Sequence, residues 1–67
     1  MQENVVVYDL ETYPNVFTGV FVEPDTKKIY VFEISDRRDD SKRFRKYLQK
    51  LYTNKTLMIS FNGLGSD

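Results

Sequence analysis

The sequence predicts a small α/β fold on three observations. β-branched and aromatic runs fill the first half, the apolar spacing lengthens from two to about 3.6 past residue 41, and an apolar run returns at Leu57. With 67 residues, the chain amounts to one small domain or a portion of one. Such a chain buries only about 60 % of the surface its unfolded form exposes, so its core is marginal without reinforcement. It has no Cys and no His. Disulfides, thiolate or imidazole metal sites, and Cys or His nucleophile pairs are therefore excluded. Any chemistry falls to carboxylates.

Asn4-Val5-Val6-Val7-Tyr8 is a continuous β-branched run, expected to be a strand buried on both faces and central in its sheet. Pro14 interrupts, and residues 16–22 resume as a second strand. Glu23-Pro24-Asp25-Thr26-Lys27 has turn chemistry, with Pro at its second position, so residues 28–34 should return antiparallel as a third strand. Residues 35–41 supply several candidate N-caps. Phe44, Tyr47, Leu48 and Leu51 then fall on one side of a helix of about 12 residues, with Lys42, Arg43, Arg45, Lys46 and Lys50 opposite. After Asn54, residues 57–61 read as a short buried strand running into the glycine-containing segment Asn62-Gly63-Leu64-Gly65-Ser66-Asp67. The expected architecture is a three-stranded antiparallel start, a crossover helix, and a fourth strand parallel to the first.

Hydrophobic residues make up 40 % of the chain and formal net charge is zero, which favours a folded chain over disorder. No apolar run approaches the roughly 20 residues of a membrane span, and the N-terminus lacks the basic start and apolar run of a signal peptide. A soluble, intracellular protein is expected, with no membrane partner. The charge is uneven: residues 1–36 carry two Lys against seven acids, and residues 37–67 carry eight Lys and Arg against three. The basic helix side is read as a solvated surface, with phosphate contact as the alternative.

Asp9-Leu10-Glu11 is the sharpest local feature. Residues two apart on a strand share a face, so both carboxylates project together while Leu10 turns away. Like charges so placed are tolerated around a cation, and hard oxygen donors suit Mg²⁺ or Mn²⁺. Alone, the triplet reads chiefly as a polar strand end facing water.

The wider setting carries a resemblance. Tyr8-Asp9-Leu10-Glu11-Thr12-Tyr13-Pro14-Asn15 resembles the first motif of the DnaQ-like 3′–5′ exonucleases, especially the proofreading domains of phage-type family B DNA polymerases. Phe61-Asn62-Gly63-Leu64-Gly65-Ser66-Asp67 is similar to the second motif, with Ser66 where the family has Phe or Tyr. The order of elements between the two motifs is similar to the start of the ribonuclease H-like fold.

The resemblance implies that residues 1–67 form the N-terminal portion of one such domain, working in the cytoplasm of a bacterial or phage-infected cell on the 3′ end of single-stranded DNA. It implies a two-metal Mg²⁺ or Mn²⁺ centre in which Asp9 bridges both ions. Glu11 would hold the nucleophile-side ion with its water, and Asp67 would orient water around the other. Leu10 and Thr12 would line the path of the terminal nucleotide, and Asn62 would help hold the single strand. A third motif would lie beyond Asp67, so the domain is expected to be incomplete, to work with the remainder of a polymerase or exonuclease, and to be inactive alone. The alternative is a non-catalytic ribonuclease H-like scaffold or interaction module.

Tyr8, Tyr13, Tyr30, Phe17, Phe21 and Phe32 are read chiefly as core, with Tyr13 the candidate exception that could stack on a base. Gly63 and Gly65 mark a turn, since no P-loop Lys follows them. An unpaired strand edge is expected to invite self-association.

Overall fold

The computed structural model describes residues 4–61. The strands are β1 (Val5–Tyr13), β2 (Val16–Glu23), β3 (Lys28–Ser35), β4 (Arg38–Asp39) and β5 (Leu57–Ser60), with helix α1 (Ser41–Thr53) between β4 and β5. They form one mixed sheet in the order β4-β3-β2-β1-β5. β1, β2, β3 and β4 run antiparallel in succession, and β5 lies parallel to β1 with Val5 beside Leu57 and Tyr8 beside Ser60. The expected α/β order, with its antiparallel start and parallel return strand, is therefore present.

Alternation sorts the side chains onto two faces. Val6, Phe21 and Phe32 point to one face, where α1 supplies Tyr47 and Leu51; these five are the buried core, and Tyr8, Tyr30, Phe44 and Leu48 pack against them. The helix stripe read from spacing is thus the stripe that packs. Phe21 lies at the centre of the aromatic cluster, with ring centroids 5.2 Å from Tyr47, 5.8 Å from Phe32 and 5.9 Å from both Tyr8 and Phe44. The Tyr47 hydroxyl donates to Glu23 Oε2 at 2.9 Å, tying the helix to the end of β2. Burial, and then that hydrogen bond, push the Tyr47 phenol well above its ordinary range.

Several expectations need correction. β1 runs five residues past Tyr8, because the tight Pro14-Asn15 connection pairs Tyr13 with Val16 and zips the acidic stretch against β2. Strand one is interior, as expected, but helix covers only one of its faces. β5, expected to be buried, is exposed at all four positions, because it is the outermost strand. The segment before the helix folds back as β4, with Ser35 paired to Arg38.

Asp40 occupies the N-cap position but makes no side-chain cap bond. Instead, Asp40 Oδ2 accepts the Glu33 N–H at 2.9 Å and meets Arg38 at 2.8 Å, while Oδ1 meets Arg43 at 3.1 Å. The Glu33 hydrogen bond, helped by the two guanidiniums, holds the Asp40 carboxyl below its usual range. Arg43 also stacks over Phe32, 4.9 Å from the ring centre, so this one member of the basic side serves the fold. Among the described residues, no helix is long and apolar enough to cross a membrane.

Candidate metal and nucleic-acid site

Nothing among the described residues covers the face opposite α1, and on it β1 displays Val5, Val7, Asp9, Glu11 and Tyr13 in a column. Pairing extends this column into rows. Val7 sits beside Ile59 on one side and the Val22–Ile29 pair on the other. Asp9 continues into Val20 and Val31, and Glu11 into Thr18 and Glu33. The face thus has an apolar half toward the start of β1 and an acidic half toward its end. Asp9 stands on the border.

Asp9 is half-buried and Glu11 is exposed. The Tyr13 hydroxyl donates to Glu11 Oε1 at 3.0 Å. That hydrogen bond, then the charge of Glu11 and more weakly that of Asp9, raise the Tyr13 phenol above its ordinary value. Strand register puts both carboxylates on one face, so the projection read from the two-residue spacing holds. Neither Asp9 nor Glu11 takes part in a salt bridge among the described residues. A depression of about 290 Å³ adjoins Asp9, lined by Val7, Tyr8, Val20, Val22 and Phe61.

Leu10 and Thr12 occupy the opposite, helix-side face. The Cβ that Gly19 lacks would lie 3.0 Å from Leu10 Cδ2, and Thr12 pairs with Phe17, whose ring packs on Phe44 of the helix. A nucleotide strand that met Leu10, Thr12 and the carboxylates together would have to pass around the end of the sheet. Asn62 and Asp67 lie outside the described residues. Tyr13, singled out in the sequence for its proximity to the acids, is exposed and bonded to one of them.

Glu33 was not anticipated. It joins the row of Glu11 across Thr18, about 10 Å away at two strand spacings. Strand register is the signal that could have found it. Its carboxylate already accepts the Ser35 hydroxyl at 2.7 Å and faces Arg37 at 3.9 Å.

Asp9 and Glu11 fit a divalent cation in donor chemistry, being hard oxygen ligands with no salt-bridge partner among the described residues. Among the described residues, no group of three acids gathers to complete a site. The basic residues of α1 are exposed and sit on the far side of the sheet from this pair. Compared with known protein families, curated proteins and solved structures, the chain matches none.

Proposed function

We propose that this chain is the N-terminal part of a metal-dependent 3′–5′ exonuclease of ribonuclease H-like fold, a proofreading module acting on the 3′ end of single-stranded DNA. One observation carries the reading. Asp9 and Glu11 stand together, without a salt-bridge partner among the described residues, on the open side of an interior strand that lies beside a parallel return strand. Two acids side by side repel each other, and that arrangement has a physical reason where a cation is held between them. The motif resemblance around both residues and the order of elements support the same conclusion.

In this reading Asp9 and Glu11 hold Mg²⁺ or Mn²⁺, which supplies an activated water and stabilises the departing 3′ oxygen when bound. Asp67 completes the acidic set and Asn62 helps hold the strand, while Leu10 and Thr12 meet it where it passes around the end of the sheet. Tyr13, hydrogen-bonded to Glu11, orients that carboxylate. Misplacement by about 1 Å costs roughly 100-fold in rate, so two or three ligands position the attacking water poorly. These 67 residues should shorten a 3′-labelled single-stranded DNA little or not at all.

The runner-up is a scaffold that keeps the fold without the chemistry. Mn²⁺ titration followed by electron paramagnetic resonance separates the two. Saturable binding in the millimolar range that disappears in Asp9→Ala supports the nuclease site. A linear, unsaturated response identical in Asp9→Ala leaves the scaffold.

A further inference from the structure

On the side of α1 turned away from the sheet, the charges are all of one sign. Between Ser41 and Phe61 the sequence has six Lys and Arg and no Asp or Glu. Lys42, Arg43, Arg45, Lys46 and Lys50 are exposed, and of these only Arg43 has a salt-bridge partner among the described residues. Lys42, Arg45, Lys46 and Gln49 follow at i, i+3, i+4 and i+7, so they form one stripe along the helix.

The helix's own stability does not account for that stripe. A solvated helix surface ordinarily mixes signs, with acids set four residues from bases. Here Lys42 and Lys46, and again Lys46 and Lys50, stand at that spacing, where like charges oppose the helix. The first turn, where the helix dipole favours acids, has none and holds Lys42 and Arg43. A polyanion along the stripe relieves both conflicts.

Beside the stripe lies a shallow groove of about 450 Å³, lined by Arg45, Leu48, Gln49, Tyr52 and Thr53. Tyr52 is 86 % exposed and takes no part in the core cluster. We propose that this side of α1 binds single-stranded nucleic acid, with Lys42, Arg45 and Lys46 on phosphates and the Tyr52 ring against a base. A row of cations next to an exposed aromatic is the pairing by which sequence-tolerant single-strand binders hold backbone and base together.

Other polyanions fit less well. A helix that lies on an anionic membrane inserts its apolar side, and here Phe44, Tyr47, Leu48 and Leu51 are committed to the sheet. An acidic protein would use the cations and leave Tyr52 and the groove without a role. Asp9 and Glu11 face the other side of the sheet and do not repel a strand bound here. The surface is therefore independent of the carboxylate pair and of the nuclease reading.

Fluorescence anisotropy of labelled oligothymidylate, titrated with the whole chain in EDTA so that no divalent ion takes part, tests the proposal. Saturable binding is expected, with a slope of log K against log salt of about −2 for three phosphate contacts. Lys42→Gln combined with Lys46→Gln should weaken binding about tenfold at low salt and flatten the slope to about −1 or less. Lys27→Gln combined with Lys28→Gln removes the same charge at the β2–β3 turn and should leave affinity nearly unchanged. Tyr52→Ala should weaken binding about fivefold or more without altering the slope. Circular dichroism of the Lys42, Lys46 double variant should match the wild type, since the change removes repulsion within the helix. Oligouridylate should bind comparably, because phosphates and base faces are common to both polymers.

A wild type that shows no saturation at low salt overturns the proposal. So does an equal loss in the two double variants, which would leave net charge as the whole effect. A strong preference for either polymer would mean that the sugar is read and not backbone charge and stacking, and also overturns it. Polyaspartate that competes as well as oligothymidylate, with binding indifferent to Tyr52→Ala, would assign the surface to an acidic protein instead.

Discussion

The two faces of this sheet are built from the same strands and obey different rules. On the helix side, Val6, Phe21 and Phe32 are at most 2 % exposed, and the aromatic rings interlock around Phe21. On the other side, the neighbouring residues Ile29 and Val31 remain largely in solvent although they are as apolar and as regularly spaced. Alternation assigns a residue to a face, but burial depends on what lies above that face. The helix-side half holds the domain together, and the open half carries Asp9 and Glu11 with no layer above it among the described residues.

The largest expected effect tests the closed side. Phe21→Ala removes the ring that meets Tyr8, Phe32, Phe44 and Tyr47, and should cost about 3–5 kcal/mol. For a chain of this size that is most of its stability. Urea denaturation followed by circular dichroism should find the variant largely unfolded without denaturant. Full retention of the transition would mean that the aromatic cluster is not the core.

Next comes the bond that seats the helix. Tyr47→Phe deletes the 2.9 Å hydrogen bond to Glu23 and should cost about 1–2 kcal/mol. The folded-state pKa of Tyr47 is raised, so its contribution is complete below the unfolded phenol value near pH 10 and is lost as pH climbs above it. The alkaline fall in melting temperature should therefore be shallower in Tyr47→Phe. Equal slopes would show that the phenol does not set it.

Gly19 sharpens the comparison at a single position. Its missing Cβ would come within 3.0 Å of Leu10 Cδ2 and 3.3 Å of Phe21 Cε1, so Gly19→Ala should cost about 1 kcal/mol. Leu10→Ala should offset part of that cost in the double variant. Strict additivity of the two changes would refute the crowding argument.

The smallest effect belongs to the open face. Ile29→Thr should change stability by no more than about 0.5 kcal/mol. A loss as large as that from a core variant would mean the two faces do not differ as described.

Much of this architecture is legible in the residues. Period two gave the hairpin of β2 and β3, and the spacing of Phe44, Tyr47, Leu48 and Leu51 gave the packed side of α1. The common direction of Asp9 and Glu11 followed from strand geometry alone. Other features depend on pairing that no local pattern encodes. Nothing in Arg38-Asp39 suggests a strand, because its partners are the backbone groups of Ile34 and Ser35. Asp40 reads as a cap, but the Glu33 N–H and two guanidiniums compete successfully for its carboxylate. The exposure of β5 was hidden because Leu-Met-Ile-Ser has the composition of a buried strand. Glu33 joins the row of Glu11 only through the register of three strands. The contributions expected of Asn62 and Asp67 lie outside the described residues.

The parallel pairing of Val5 with Leu57 joins nearly opposite ends of the chain. The meander from β1 to β4 can assemble from neighbouring hairpins, but this contact must close a loop spanning most of the polypeptide, so it is the slowest to form. Until β5 arrives, the flank of β1 is an open slot that the last strand of another molecule fits equally well. Dilution during refolding should therefore favour correct intramolecular closure over strand exchange.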